Sequence, residues 1–313
     1  MSGPDEFEAI ARLFRPLTRG APEAFGLLDD AAAVPARPGY DLVITKDAIV
    51  EGVHFPLGEA PDLVARKLLR VNLSDLAAKG AEPYGYFLAV SWPAAWTEEA
   101  RAAFAHGLGA DGEEFGLVLL GGDTTSTPGP MTASATLLGW VPAGGMVRRG
   151  GARPGDLVLV SGPIGDGVLG LAAARGEIDE PALAHRYRLP APRLDLRETL
   201  RSRASAAADV SDGLIADAGH IGEASGTRIA LRLEALPLSA GARRWLDRQP
   251  DRAAGLLALA SGGDDYELVC TAAPDRADGL GMTVIGEVVA GAGIVVTYEG
   301  DVLDPGAGGW RHA

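Results

Sequence analysis

Aspartate recurs in this sequence beside glycine and at the ends of apolar runs. Asp29-Asp30 follows a glycine-containing turn, Thr45-Lys46-Asp47 closes a strand-like run, and Asn72-Leu-Ser-Asp75 falls late in a helical stretch. Gly121-Gly122-Asp123-Thr124-Thr125 follows the run Leu117–Leu120, Asp209-Val-Ser-Asp-Gly213 precedes a helix, and Ser261-Gly-Gly-Asp-Asp-Tyr266 precedes a strand. Aspartate is disfavoured inside strands and glycine lets backbone approach a ligand, so these segments read as turns that aim carboxylates outward. Any single Asp-Gly pair is an ordinary turn. Six such segments in one chain point instead to bound positive charge. Carboxylates ionise at about pH 4 and are hard oxygen donors, which suits Mg²⁺.

Other chemistry lacks its residues. Lys46, Lys67 and Lys79 are the only lysines and none follows a glycine, so there is no G-x-x-x-x-G-K-[ST] loop. A nucleotide bound here would have its phosphates neutralised by metal ions, with arginines helping. Gly165-Asp-Gly-Val-Leu-Gly170 matches G-x-G-x-x-G, but the polar, proline-interrupted Glu177–Arg188 follows, with no second strand. It reads as a tight strand-to-helix turn. No G-x-S-x-G elbow is present, and Cys270 lies in the apolar run Leu268-Val-Cys-Thr, as a packed thiol does. The five histidines form no i, i+4 metal pair. His54, in Glu51-Gly-Val-His-Phe55 directly after Asp47, reads equally as a hydrogen-bonded loop residue or a ligand contact. Arg148-Arg149 by itself reads as an exposed pair.

The elements that must carry these residues follow from composition and periodicity. With 313 residues and 47% hydrophobic content, the chain is expected to form about two domains. A formal charge of −14 argues against nucleic acid or an anionic membrane surface as partner. One cysteine excludes an internal disulfide framework, the segment Met1–Phe14 lacks the character of a secretory signal, and no apolar run spans a bilayer. A reduced, cytoplasmic setting is expected. Helices are predicted at Phe7–Leu17, Pro61–Ala78 and Thr97–Gly109, with strands at Tyr40–Thr45, Gly85–Ser91, Gly116–Leu120 and Met131–Val141. After the glycine-rich connection Pro142–Gly155 come strands at Asp156–Val160, Arg228–Leu233, Tyr266–Thr271 and Met282–Val289. Helices are predicted there at Gly167–Arg175 and Ser211–Ala224. The expected fold is α/β in two domains, 1–141 and 142–313.

Taken in order, the motifs resemble the thiamine-monophosphate kinase family. It belongs to the ATP-binding superfamily of aminoimidazole ribonucleotide synthetase and selenophosphate synthetase. The matching stretches are Asp29-Asp-Ala-Ala, Thr45-Lys-Asp-Ala-Ile-Val-Glu-Gly-Val-His-Phe55, Val71-Asn-Leu-Ser-Asp-Leu-Ala-Ala78, Gly121-Gly-Asp-Thr-Thr125, Gly151-Ala-Arg-Pro-Gly-Asp156, Asp209-Val-Ser-Asp-Gly-Leu214 and Ser261-Gly-Gly-Asp-Asp-Tyr-Glu-Leu268. The resemblance implies an N-terminal mixed α/β domain that forms a dimeric β-barrel with its partner in a homodimer, and a C-terminal α/β domain beside it. It implies direct in-line transfer of the ATP γ-phosphoryl group to thiamine phosphate, the last step of thiamine diphosphate biosynthesis. Several Mg²⁺ ions are implied, with Asp30, Thr45, Asp47, Asp75, Asp123, Asp209 and Asp212 at ligand positions. Gly122, Asp123, Arg149 and Ser211 match ATP-binding positions, and His54 and Asp264 match positions near thiamine phosphate. Three positions depart from the family pattern. Lys46 stands where relatives often carry a small hydroxyl residue, and Asp264 replaces a glutamate. Trp310 is the nearest candidate for the aromatic that covers thiamine, since Ala307 and Ala313 occupy spots where relatives tend to be aromatic. The alternatives are another ATP-dependent enzyme of the superfamily, disfavoured by the lack of an N-terminal cysteine, or a non-catalytic nucleotide-binding scaffold, disfavoured by the intact aspartates.

Overall fold

The computed structural model describes residues 6–306. The chain forms two compact units, one from the segment ending at Leu76 together with Glu82–Gly144, the other from Ala77–Ala81 together with the chain from Gly145 onward.

In the first unit the single N-terminal helix expected from apolar spacing is divided. A short α-helix (α1, Glu6–Ala9) runs into a π-helical turn at Ile10–Phe14 and a 3₁₀ turn at Arg15–Thr18. Pro16 has no N–H to donate, so the α-ladder cannot continue through it. Then follow β1 (Tyr40–Val50), α2 (Pro61–Ala78), β2 (Glu82–Pro93), α3 (Glu98–Phe115), β3 (Val118–Thr127) and β4 (Thr132–Pro142). The sheet order is β1-β4-β2-β3, with β2 and β3 parallel and the other pairs antiparallel. Pro61 opens α2, and Leu68, Leu69, Leu73 and Leu76 are fully buried along it. Gly80, in the left-handed region at φ +71°, lets the chain leave the helix. Thr97 caps α3 by accepting the Ala100 N–H. The two helices are joined by a buried clamp. Arg70 donates to both oxygens of Asp111 and Arg66 to one, while both arginines also reach Glu114.

The strands of this unit run longer than their apolar cores suggest, and this corrects two sequence expectations. Thr45 and Asp47 lie in the middle of an eleven-residue strand rather than closing one, and Gly121–Thr125 is part of β3 rather than the turn after it. Polar residues persist in these strands because cross-strand pairing, not side-chain propensity, holds the backbone extended.

The second unit contains β5 (Leu157–Val160), α4 (Asp166–Ala174), α5 (Pro181–Arg188), α6 (Arg197–Arg203), β6 (Ala206–Asp209) and α7 (Leu214–Ser225). It continues with β7 (Arg228–Arg232), α8 (Ala240–Leu246), α9 (Arg252–Ser261), β8 (Leu268–Ala272), α10 (Pro274–Ala277), β9 (Thr283–Val289), β10 (Gly293–Tyr298) and β11 (Asp301–Leu303). Its seven strands are ordered β11-β10-β7-β9-β5-β8-β6. Alternation along β5 sends Val158 and Val160 to one apolar cluster and Leu159 to another, so both faces of the sheet centre are covered. Both neighbours of β5 are antiparallel, so the glycines that follow it do not open a dinucleotide fold. At Gly167 a Cβ would lie 2.3 Å from the Gly263 carbonyl oxygen, and at Gly170 2.4 Å from that of Leu183. These glycines serve close packing.

Candidate functional site

Two loci gather candidate side chains in the first unit. Residues two apart on a strand share a face, and residues three apart on a helix are neighbours. Thr45 and Asp47 of β1 therefore meet Asn72 and Asp75 of α2. The Thr45 hydroxyl donates to Asp75 Oδ2 at 2.5 Å, and the Asp47 N–H donates to Asn72 Oδ1 at 3.1 Å. Asn72 is buried and oriented by its own donation to the Leu68 carbonyl. Lys46 points to the opposite, exposed face of β1, with Nζ 3.5 Å from Thr136 Oγ1, so its charge does not compete with that of Asp47 or Asp75. At the second locus, Asp29, Asp30, Gly122 and Asp123 line a cavity of about 480 Å³ whose remaining wall is largely apolar, including Phe14, Leu88 and Val90. Gly122 is obligatory because a Cβ there would lie 1.9 Å from the Leu88 carbonyl oxygen across the parallel β2–β3 pair.

His54 sits in the turn after β1, where Gly52 takes φ +81°. Its Nδ1 accepts the Val50 N–H at 3.1 Å, so a neutral ring carries its proton on Nε2. The His54 carbonyl accepts from the buried Lys67 ammonium.

In the second unit, β6 ends at the buried Asp209 and the chain turns through Val210–Gly213 into α7. Asp217, in the first turn of α7, reaches back so that one carboxylate oxygen accepts the N–H groups of Ser211, Asp212 and Gly213 at 3.0–3.2 Å. Burial pushes its carboxyl up to about 7. Asp212 adds to that shift, while two of the N–H donors and Arg149 oppose it. Asp212, Asp217 and His220 place ligating atoms within 4.8 Å of one another, the one such group of three among the described residues.

Against this turn lies the strap Ser261–Glu267. The Asp264 N–H donates to the Ser211 carbonyl and the Tyr266 N–H to that of Val210. Asp264 and Tyr266 have φ of +65° and +50°, and the Tyr266 hydroxyl donates to Asp264 Oδ1 at 2.9 Å. The intervening Asp265 is buried and accepts the Gly165 and Gly167 N–H groups at 2.9 and 2.8 Å. Burial pushes its carboxyl up to about 8, with neighbouring Asp166 adding and the two N–H donors and Arg186 opposing. Glu267 is likewise buried and accepts from Arg186, Arg193 and the Ser161 hydroxyl.

Of the sequence-derived candidates, the structure thus brings together Thr45, Asp47 and Asp75, then Asp30, Gly122 and Asp123, and then Asp209, Ser211, Asp212 and Asp264. Arg149 is exposed, and its carbonyl accepts the Ser225 hydroxyl. Trp310 lies outside the described residues. Sequence reasoning gave no role to Asn72, Asp217, Asp265 or Glu267. A signal existed for Asp217, an acidic residue in the first turn of a helix that follows a glycine. For Asp265 and Glu267 the signal was alternation with Asp264 and Tyr266 ahead of a strand.

Residues 28–141 match the AIR synthase related protein, N-terminal domain, and residues 153–299 the corresponding C-terminal domain. The chain is 57% identical to the thiamine-monophosphate kinase of Caulobacter vibrioides, over 99% of this chain and 91% of that one. The crystal structure of thiamine-monophosphate kinase from Stenotrophomonas maltophilia superposes with a TM-score of 0.83 at 37% identity, covering 95% of this chain and 98% of that one. The structure of AaThiL complexed with AMPPCP and TMP superposes with a TM-score of 0.80 at 30% identity, covering 100% of both chains.

Proposed function

We propose a mechanism from one premise: the chain belongs to the thiamine-monophosphate kinases, within the AIR synthase related family. It is an ATP-dependent kinase that transfers the γ-phosphoryl group to thiamine phosphate, giving thiamine diphosphate and ADP. The observation that carries this reading is the match at 57% identity to a thiamine-monophosphate kinase over 99% of this chain.

The acceptor explains what the chain lacks. A phosphate monoester is already anionic near neutral pH, with a second pKa of about 6, so its oxygen needs no general base. No covalent relay is required either, and the one thiol, Cys270, is buried and pushed up to about 12. The difficulty is electrostatic, because two anionic phosphates must approach within bonding distance. We assign the ligand positions for Mg²⁺ to Asp30, Thr45, Asp47, Asp75, Asp123, Asp209 and Asp212. The donors are all hard oxygens. Among the described residues, none of Asp30, Asp75, Asp123 and Asp212 is in an ion pair with a lysine or arginine, so their charge is left for a cation. Bound Mg²⁺ would screen the phosphate charges and hold donor and acceptor in line.

Arg149 supplies positive charge toward the nucleotide phosphates, and Gly122 and Ser211 stand at the other nucleotide-binding positions. His54, fixed with its donor at Nε2, faces the acceptor phosphate, and the Asp264 carboxylate faces the cationic thiamine. From the family resemblance we take Trp310 as the candidate for the aromatic that covers thiamine; Trp310→Ala should raise the KM for thiamine phosphate more than that for ATP, and a rise confined to ATP would move that position to the nucleotide site.

The homodimer is part of the same reading. β1 is a sheet edge, and its outward face carries Leu42, Ile44 and Tyr40, all exposed, with Ile44 61% exposed. An apolar edge of this length is a template for pairing, and we assign it to a β-barrel closed by a second copy. The proposed domain boundary at 141/142 falls three residues before the division between the compact units after Gly144, and we place the enzyme in the cytoplasm, free of membrane and nucleic acid. Among the described residues no helix is long and apolar enough to cross a membrane. The test of the activity is thiamine diphosphate formation by the purified protein with ATP and Mg²⁺. Product from thiamine phosphate but not from free thiamine supports the reading, and ATP binding without product removes the acceptor assignment.

A further inference from the structure

Residues 264–267 alternate in role. Asp264 and Tyr266 are half-exposed and hydrogen-bonded to each other, while Asp265 and Glu267 are 1% and 2% exposed and anchored elsewhere. From this alternation we infer that Asp265 and Glu267 are positioning residues that hold Asp264 and Tyr266 as a preassembled acceptor-binding pair and fix its distance from the Asp209–Gly213 turn. The inference rests on the thiamine-phosphate kinase reading and names how that site is held.

Asp264 and Tyr266 both occupy the left-handed region, which side-chain-bearing residues avoid unless the surroundings over-determine them. The surroundings do so through two anchors. Asp265 receives the Gly165 and Gly167 N–H groups at the start of α4, and its carbonyl accepts from Arg186 at 3.1 Å. An apolar side chain there would fill the space but leave both N–H groups buried without a partner. Glu267 is held by Arg186, Arg193 and Ser161, and Ser161 in turn accepts the Leu268 N–H. Arg186 therefore touches both anchors.

The strap has no slack on its other side. A Cβ at Gly262 would lie 2.5 Å from Val168, and one at Gly263 2.4 Å from the Ser211 carbonyl oxygen. Three backbone hydrogen bonds, Asp264 to Ser211, Tyr266 to Val210 and Val210 to Glu267, then tie the strap to the turn that carries Asp209 and Asp212. The Tyr266 hydroxyl, donating to one oxygen of Asp264, orients that carboxylate. The Asp264 carboxylate stands on a single methylene, so its reach depends on where the strap sits.

The test uses the full-length enzyme and measures KM for each substrate together with kcat in Asp265→Asn, Glu267→Gln and Tyr266→Phe. Asp265→Asn should raise the KM for thiamine phosphate about 10- to 100-fold while leaving that for ATP within about threefold, as expected for a misplaced binding group. It should also be non-additive with Tyr266→Phe, because both act through Asp264. Equal rises in both KM values, additive effects, or a lower melting temperature with unchanged kinetics would overturn the assignment. If Asp265→Asn does not fold, Ser161→Ala, which removes a single donor from Glu267, is judged by the same split. Absence of turnover in the unmutated enzyme would instead sink the kinase reading.

Discussion

Asp111 and Asp217 are both fully buried carboxylates, and they are held in opposite ways. Asp111, between α2 and α3, has two arginines on its oxygens. Asp217, at the start of α7, has backbone N–H groups and an unfavourable neighbour in Asp212, and it is pushed up to about 7. The arginine clamp matches its charges within the fold and has nothing left to offer a ligand. The N–H cradle holds its carboxylate beside that of Asp212, a pairing that a cation would relieve. Glu267 and Asp265 repeat the contrast within one strap, the first clamped by arginines and the second cradled by N–H groups.

Mutation separates the two kinds. Asp111→Ala leaves the Arg70 charge buried and should lower unfolding free energy by about 3 to 5 kcal/mol, read from urea titration, with the Mg²⁺ dependence of turnover unchanged. A change in that dependence would mean the clamp is not purely structural. Asp75→Asn should behave in reverse, lowering kcat by about a hundredfold or more with little loss of stability, because it removes charge from a proposed ligand position and no packing. Near-normal turnover would remove Asp75 from the metal set.

The smallest effect concerns pH. Between about pH 4 and about pH 7 folded Asp217 holds a proton that the unfolded chain has released, so its contribution to stability falls as pH rises through that window. Asp217→Asn has no proton to hold. In chelator, its urea midpoint should therefore gain on that of the unmutated protein between pH 5 and pH 7.5. A constant gap would contradict the raised value.

Much of this was legible in the sequence where local rules agree with the fold. Pro61 to Ala78 combines a proline start, a buried leucine stripe and a glycine stop, and the helix has those bounds. The aspartate turns before α7 and β8 were visible for the same reason, since glycine and aspartate mark turns directly. Legibility failed where distant parts of the chain decide. β6 is Ala-Ala-Ala-Asp, with no strand propensity of its own, and exists because β8 pairs with it. Asp123 and Asp47 looked like turn residues because the strands around them are set by partners rather than by composition. Asp265 was hidden because its partners, the Gly165 and Gly167 N–H groups, lie about a hundred residues earlier.

If the proposed aspartates hold the metal that lets two phosphates meet, turnover must depend on a divalent cation. The direct measurement is the initial rate of thiamine diphosphate formation from ATP and thiamine phosphate as free Mg²⁺ is raised from zero. Without a divalent cation no product should form, and the rate should rise more steeply than first order if several ions act together. Product formation independent of divalent cation would contradict it.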